Sequence, residues 1–281
     1  MEWLNRMEKA LDYMESNMEE PLNIAQIAKI AYSSPFHFQR MFYMISGMTV
    51  AEYVRKRKLT LAAQELAISS SKVIDVAMKY GYKTPESFSK AFRKIHGIPP
   101  SEARRSGVSL KAFPRISFQL TISGDRELEY IIDEKDSFMI CGKTTTLTCG
   151  DEGRTRQDFW GECMRDGTLD EITQDSNRHT ILGITCNFDE EFTYMIGKRS
   201  EAEHITEHWT SIEIPSATWA VFSCYGTISE AVQKGFHQVY HEWFPATDYQ
   251  HAGLPEIEMY AQDISKPSGN RTEIWIPVEK K

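Results

Sequence analysis

Apolar positions recur three and four residues apart through residues 23–46, and the same arrangement returns at 73–96. Ser34-Pro35-x-x-Phe38-x-x-x-Phe42-x-x-x-x-Gly47 repeats as Thr84-Pro85-x-x-Phe88-x-x-x-Phe92-x-x-x-x-Gly97, every matched position displaced by 50. Each part has a helical meaning: Ser or Thr as N-cap, Pro at the first helical position, two Phe one turn apart facing a core, and Gly to end the helix. A shorter apolar-periodic segment precedes each copy, Ile24, Ile27 and Ala28 in the first and Val73, Val76 and Ala77 in the second, displaced by 49. Asn23 with Gln26 has capping-box spacing, so a helix start at residue 23 is expected. Two helix-turn-helix units follow from this pattern. Between them, Thr49 to about Ile68 contains neither Pro nor Gly and reads as one helix. At ~1.5 Å per residue such a helix spans ~30 Å, close to the ~34 Å of one DNA turn.

The pattern changes after residue 107. Gly107 to Arg115 breaks the helical period and reads as a linker, with 108–115 as its body. Ile116, Phe118, Leu120 and Ile122 then alternate with Ser117, Gln119 and Thr121, the period of a half-buried strand. A looser duplication follows. Its first copy is strand Phe138–Cys141, helix Arg156–Ile172, and strands Ile181–Asn187 and Phe192–Lys198. The second is strand Trp219–Cys224, helix Ile228–Phe244, and strands Glu256–Asp263 and Arg271–Val278. The expected fold class is therefore an all-α tandem helix-turn-helix domain over 1–107, followed over 116–281 by an α+β domain of two β-α-β-β repeats. Two such repeats side by side leave a cleft between halves, a natural small-molecule site.

Charge divides along the same line. Residues 1–108 hold 16 Lys and Arg against 11 Asp and Glu, a balance of +5, while 109–281 hold 16 against 29, a balance of -13. A basic front half gains phosphate attraction and counterion release on DNA, and an acidic rear half is repelled by it. With Phe38 and Phe42 inward, the first recognition helix is expected to present Phe36, His37, Gln39, Arg40 and Tyr43 outward. Arg40 suits guanine O6/N7, Gln39 suits adenine, and Phe36 a thymine methyl. The second helix offers Glu86, Ser87, Ser89, Lys90 and Arg93, with Lys90 standing 50 residues after Arg40. The run Arg55-Lys56-Arg57-Lys58 on the connecting helix is a phosphate-contact candidate and equally an ordinary charged surface.

The tandem units close in Phe92-Arg93-Lys94-Ile95-His96-Gly97-Ile98-Pro99-Pro100-Ser101-Glu102-Ala103-Arg104, and over residues 5–106 the chain resembles the AraC/XylS family of regulators. Residues 116–279 resemble the gyrase-inhibitor-like effector domain. The matching stretches are Tyr194-Met195-Ile196-Gly197, Ile214-Pro215 through Trp219-Ala220-Val221-Phe222, Glu242-Trp243-Phe244-Pro245, Pro255 to Tyr260, and Thr272 to Val278. That resemblance implies a carboxylate in an aromatic-lined pocket, with Glu258 at the matching position. Alternation sets Glu256, Glu258 and Tyr260 on one strand face. A buried carboxylate among aromatic rings favours cationic, lipophilic ligands. Tyr194, Tyr260, Trp219 and Trp243 complete the candidate effector set, although either Trp alone suits a core equally well.

The implied partners are promoter DNA, a small-molecule effector and RNA polymerase. No catalytic residue, cofactor or metal is expected: the pairs His204/His208 and His237/His241 lack a third ligand, and no phosphate-binding glycine loop or nucleophile elbow is present. Five cysteines at irregular spacing suit small core hydrophobes. The start of the chain lacks a signal-peptide order and no apolar run reaches a membrane span, so a cytoplasmic protein without membrane contact is expected. Two alternatives stay open. One is a small-molecule hydrolase or toxin-sequestering protein using Glu258 and Tyr260 as an acid–base pair, and the other a DNA-architectural protein whose rear half only oligomerises.

Overall fold

The computed structural model describes residues 2–118, 128–148, 155–174, 180–187, 191–200, 208–260 and 271–280. By contacts the chain divides into two units, Met1–Pro35 with Met48–Leu120, and Phe36–Gly47 with Thr121–Lys281.

The first unit is helical: α1 (Glu2–Ser16), α2 (Ile24–Ile30), α4 (Val50–Ile68), α5 (Val73–Lys79) and α6 (Pro85–His96), with α3 (Pro35–Ser46) interrupting the order and belonging to the second unit. Capping chemistry sets the ends. Gln26 N–H donates to Asn23 Oδ1 (3.0 Å), Glu52 N–H to Thr49 Oγ1 (3.1 Å) and Ser87 N–H to Thr84 Oγ1 (3.2 Å). Gly97, with φ +79°, ends α6 by returning its N–H to Arg93, a conformation a side chain would strain. Leu59, Ala62, Ala63, Leu66, Val76, Ala77, Tyr80, Phe88, Phe92 and Ala103 form its core. Phe38 and Phe42 of α3 are likewise buried. Much of the basic run on α4 is committed within the unit: Arg57 pairs with Glu15 (2.7 Å), Lys56 with Glu52 (2.6 Å), and Lys58 Nζ donates to Glu20 O (3.0 Å).

The second unit is built on one antiparallel sheet. Its described strands are β1 (Tyr130–Lys135), β2 (Phe138–Thr148), β3 (Ile181–Cys186), β4 (Glu191–Ser200), β5 (Thr210–Ile214), β6 (Ala217–Tyr225), β7 (Tyr249–His251), β8 (Glu256–Tyr260) and β9 (Arg271–Lys280). They lie in the order β1-β6-β9-β8-β3-β4-β2-β5, with β7 paired to β9. Helices α7 (Arg156–Arg165) and α8 (Thr168–Gln174) follow β2, and α9 (Ile228–Gln238) follows β6. A helical front half and an α+β rear half are thus as expected.

Local details differ from the sequence reading. Residues 116–118 form no strand, and Leu120 and Ile122 lie outside the described residues. The helix expected over 156–172 breaks at Gly167, where φ is +86° and Asp166 accepts from the Thr168 N–H (3.1 Å) and hydroxyl (2.6 Å), starting α8 afresh. The helix expected over 228–244 widens after Gln238 into a π-helical turn, Val239–Trp243. The expected boundary at 107 keeps α3 with the front domain, whereas its contacts group it with the sheet.

Cys141, Cys163, Cys186 and Cys224 are buried free thiols, and Cys149 lies outside the described residues. Burial pushes Cys186 and Cys224 up to about 11. At about pH 8 their thiolate fraction should be suppressed on the order of a hundredfold. Mass spectrometry after brief alkylation of the native protein should find both unlabelled, and full labelling there would contradict their burial.

Candidate effector pocket and DNA-reading helices

β8 lies between β3 and β9 near the middle of the sheet, with Glu258 opposite Gly183 and Glu256 opposite Thr185. Strand alternation turns Glu256, Glu258 and Tyr260 to one face. Ile257 turns to the other, into an apolar cluster with Ile184, Met195, Trp219 and Val221. Both carboxylates are 1% exposed. A buried charge must be paired and hydrogen-bonded to be tolerated, so the neighbours of each define its chemistry.

Glu258 accepts hydroxyl bonds from Tyr194 (2.7 Å) and Tyr260 (2.7 Å), and an Nη1 bond from Arg156 (2.6 Å). Arg156 also donates to Thr185 Oγ1 (3.1 Å), and its guanidinium lies over the Phe192 and Tyr194 rings at 5.5 and 4.8 Å. Trp160 Nε1 donates to the Tyr194 oxygen (3.1 Å), and its ring meets Tyr260 edge-on at 5.0 Å. Burial first, then the carboxylate's charge, holds both tyrosine hydroxyls protonated well above the ordinary phenol range. Burial works against the charge on Arg156, and Glu258 more than offsets it. The Arg156 side chain remains 29% exposed, so this internal cation sits where solvent can reach it.

Gly183 makes the cluster possible. A Cβ there would stand 2.4 Å from the Tyr194 hydroxyl and 2.7 Å from Glu258 Oε2. Gly183→Ala should therefore push apart the two groups that meet above it, at a cost of about 1–3 kcal/mol. A melting temperature unchanged in this variant would show that the pocket floor is looser than these distances require.

The second carboxylate has a different cation. Glu256 accepts from Arg40 Nε (2.9 Å) and Nη2 (2.6 Å), and from the hydroxyl of Tyr240 on the π turn. The Arg40 guanidinium lies over Phe236 and Tyr240 at 5.1 and 5.8 Å. Burial raises Glu256, but the charge of Arg40 with the approach of His251 outweighs it and holds the carboxyl below its usual range. Gly253 N–H donates to His251 Nδ1 (2.9 Å), which leaves the proton of a neutral ring on Nε2. That atom stands 3.5 Å from Glu256, too far for a good hydrogen bond, and is buried without another partner. His37 Nδ1 accepts from the His251 N–H (3.0 Å), Phe36 lies 5.2 Å from the His251 ring, and His37 meets Phe244 edge-on at 5.3 Å. These contacts are what tie α3 to the sheet.

The expectation that α3 turns His37 and Arg40 outward is therefore corrected: both are buried, at 4% and 2%. Phe36, Gln39 and Tyr43 are half-buried, and no residue from Phe36 to Ser46 is exposed. The reason is charge: Glu256, next but one to Glu258 on the same face, needs a cation, and Arg40 supplies it. In α6, by contrast, Glu86, Ser87, Lys90 and Arg93 are exposed and Ser89 is half-buried. Glu86, Ser89, Lys90, Arg93 and Lys94 line a shallow surface depression.

Tyr194 and Tyr260, both named in the candidate effector set, donate their hydroxyls to Glu258. Trp219 instead packs into the cluster on the opposite face of the sheet, 6.1 Å from Trp275. Trp243 packs against Tyr130, Phe222, Phe244 and Tyr249. Sequence reasoning missed Glu256, Arg156, Trp160, Tyr240 and His251. One signal was available: with a period of two, burying Glu258 buries Glu256 as well, and two buried carboxylates call for two cations.

His237 and His241 stack at 3.8 Å, and among the described residues no group of side chains is arranged to hold a metal ion. No described helix is long and apolar enough to cross a membrane.

A tandem helix-turn-helix segment joined to an antiparallel sheet with two buried, arginine-paired carboxylates defines a class, a DNA reader carrying an effector-binding domain. The comparisons agree. Residues 131–278 match the family described as integron-associated effector binding protein, and residues 27–106 match a helix-turn-helix domain family. The chain belongs to the integron-associated effector-binding family and carries an AraC-type helix-turn-helix domain, bearing out the resemblance read from its motifs. It is 36% identical over 94 residues to the regulatory protein SoxS of Salmonella typhimurium, covering 34% of this chain and 88% of that protein. It is 34% identical over 98 residues to the uncharacterized HTH-type transcriptional regulator YbfP of Bacillus subtilis, covering 35% of this chain and only 33% of that one. Among solved structures, SAV2435 bound to tetraphenylphosphonium is similar over 54% of this chain and 94% of its own, at 25% identity and TM-score 0.47.

Proposed function

We propose that this chain is a cytoplasmic, ligand-responsive transcription regulator whose rear domain binds a small lipophilic cation at Glu258 and whose helix-turn-helix segment reads promoter DNA, with RNA polymerase as a further partner. The observation that carries the effector half is the pairing of Glu258 with Arg156: a fully buried carboxylate, ringed by aromatic side chains, holds a cation that solvent can reach. An organic cation entering this site finds a fixed negative charge, two oriented hydroxyls and the Tyr194 and Trp160 rings, once Arg156 swings outward. We read the rear unit as two β-α-β-β repeats meeting where β3 pairs with β8, which sets Glu258 at the seam between halves. For the DNA half, α6 offers Lys90 and Arg93 to phosphates and base edges. Ligand control requires that the effector bind one DNA-binding state better than another.

A hydrolytic role has weaker support. Both hydroxyls beside Glu258 donate to it and are held protonated, so neither can serve as a base, and the carboxylate that would serve already accepts from three donors. Two measurements test the proposal: calorimetric titration with tetraphenylphosphonium, and fluorescence anisotropy on a labelled fragment from upstream of the chain's own gene, with and without that cation. Saturable cation binding that changes DNA affinity is the expected result. No specific DNA binding at moderate salt in either condition would overturn it.

A further inference from the structure

We propose that the box formed by Glu256, Tyr240, Phe236 and His251 is a second cation site, shaped for a planar guanidinium or amidinium, and that Arg40 of α3 occupies it in cis as a latch on the first recognition helix. The inference rests on the regulator reading above for the meaning of α3, since residues 27–106 carry the helix-turn-helix match.

Geometry specifies the ligand class. The carboxylate accepts side-on from one planar group, Nε reaching Oε1 at 3.1 Å and Oε2 at 2.9 Å, and Nη2 reaching Oε2 at 2.6 Å. The faces of Phe236 and Tyr240 lie over the same group at 5.1 and 5.8 Å. A fork of coplanar N–H donors held against aromatic faces is guanidinium recognition; an ammonium, a compact point charge, can sit over a ring but cannot supply the fork. The His251 Nε2 atom, buried and without a hydrogen bond, stands 3.5 Å from the same carboxylate. Glu256 and Glu258 stand on one face of β8, so the latch adjoins the proposed effector carboxylate, and the fields of the two arginines reach across: Glu258 supports the charge on Arg40, and Arg40 opposes that on Arg156.

Function follows from what the latch covers. Arg40 is the base-reading candidate of α3, and while it pairs with Glu256 it cannot meet guanine. No residue from Phe36 to Ser46 is exposed, whereas five residues of α6 are: Glu86, Ser87, Lys90, Arg93 and Lys94. The ligand-free protein therefore reads DNA with α6 alone. A guanidinium or amidinium ligand taking the Glu256 site competes with Arg40 directly and frees α3, its apparent affinity lowered by the fraction of time the latch is closed.

The test uses the full-length chain and methylguanidinium, with methylammonium as control. Arg40→Ala should bind methylguanidinium at least tenfold more tightly than the wild type, and its melting temperature should rise with methylguanidinium and not with methylammonium. Equal affinity in the two proteins, or equal stabilisation by the two cations, would overturn the site. In Glu256→Gln, amide hydrogen exchange across residues 36–46 should accelerate at least tenfold relative to wild type, with exchange across 85–96 unchanged. Unchanged exchange in 36–46 would overturn the latch. Should that variant not fold, Arg40→Lys, which keeps the charge and loses the fork, supplies the same exchange readout: acceleration supports the latch, and its absence overturns it. Neither arm uses DNA, and the exchange arm uses no ligand at all, so failure of the effector reading would leave that result legible, and the reverse.

Discussion

Glutamine in place of Glu258 is expected to weaken tetraphenylphosphonium binding on the order of 30- to 1,000-fold, about 2–4 kcal/mol, by removing the fixed charge from a desolvated site. Arg156→Ala is expected to act in the opposite direction. In the proposed site Arg156 is the occupant an incoming cation would displace, at 2.6 Å from Glu258 and still 29% exposed. Deleting it leaves the carboxylate with two hydroxyl donors and room for a cation from solution. Opposite signs for the two members of one ion pair discriminate sharply, because a merely structural salt bridge loses stability when either end is cut and gives no reason for one cut to improve binding. Calorimetric titration of both variants decides the matter. Weaker binding in both would mean that Arg156 orders the pocket instead of plugging it.

The pairing of Glu256 with Arg40 obeys the same physics with the exposure reversed. Both members are almost completely buried, so removing one leaves the other as an uncompensated charge, at a cost of about 3–5 kcal/mol. The two pairs therefore differ in solvent access. On the proposed function, the pair at Glu258 is the one open to exchange with a ligand, while the pair at Glu256 is closed by the helix that supplies its cation.

How much of this was legible in the sequence depends on whether the signal was local. The repeat at a displacement of 50 located both recognition helices, because capping, Pro at the first helical position and the Phe pair are properties of one segment at a time. Alternation on β8 likewise placed Glu258 beside Tyr260, and family likeness supplied Tyr194. What the sequence could not carry was the partner of each charge. Arg40 and Glu256 are separated by 216 residues, Arg156 and Glu258 by 102, and no local periodicity links them. A helix pattern that leaves Arg40 on the polar side of α3 is equally consistent with solvent, a phosphate or a buried carboxylate, and only the fold chooses among them. Trp219 and Trp243 show the same limit: their hydrophobicity announced burial but did not say which face of the sheet would take them.

On the DNA side the largest expected loss is in α6. Replacing Lys90 and Arg93 together with alanine is expected to lower affinity for the upstream fragment about 10- to 100-fold at moderate salt, with the slope of log affinity against log salt flattened by about 0.9 for each phosphate that is no longer neutralised. The single variants should separate two roles. Arg93 has the fork that grips guanine O6 and N7, so Arg93→Ala is expected to relax discrimination at one base pair by about 1–3 kcal/mol. Lys90, a flexible point charge, is expected to cost affinity evenly across operator variants while changing the salt slope. Both side chains are exposed beside the same depression, with the acidic Glu86 at the first turn of the helix. Anisotropy titrations at three salt concentrations on a set of singly altered fragments measure each quantity. An unchanged slope in the double variant would remove α6 from the interface, and with it the idea that the front half reads DNA while Arg40 is engaged elsewhere.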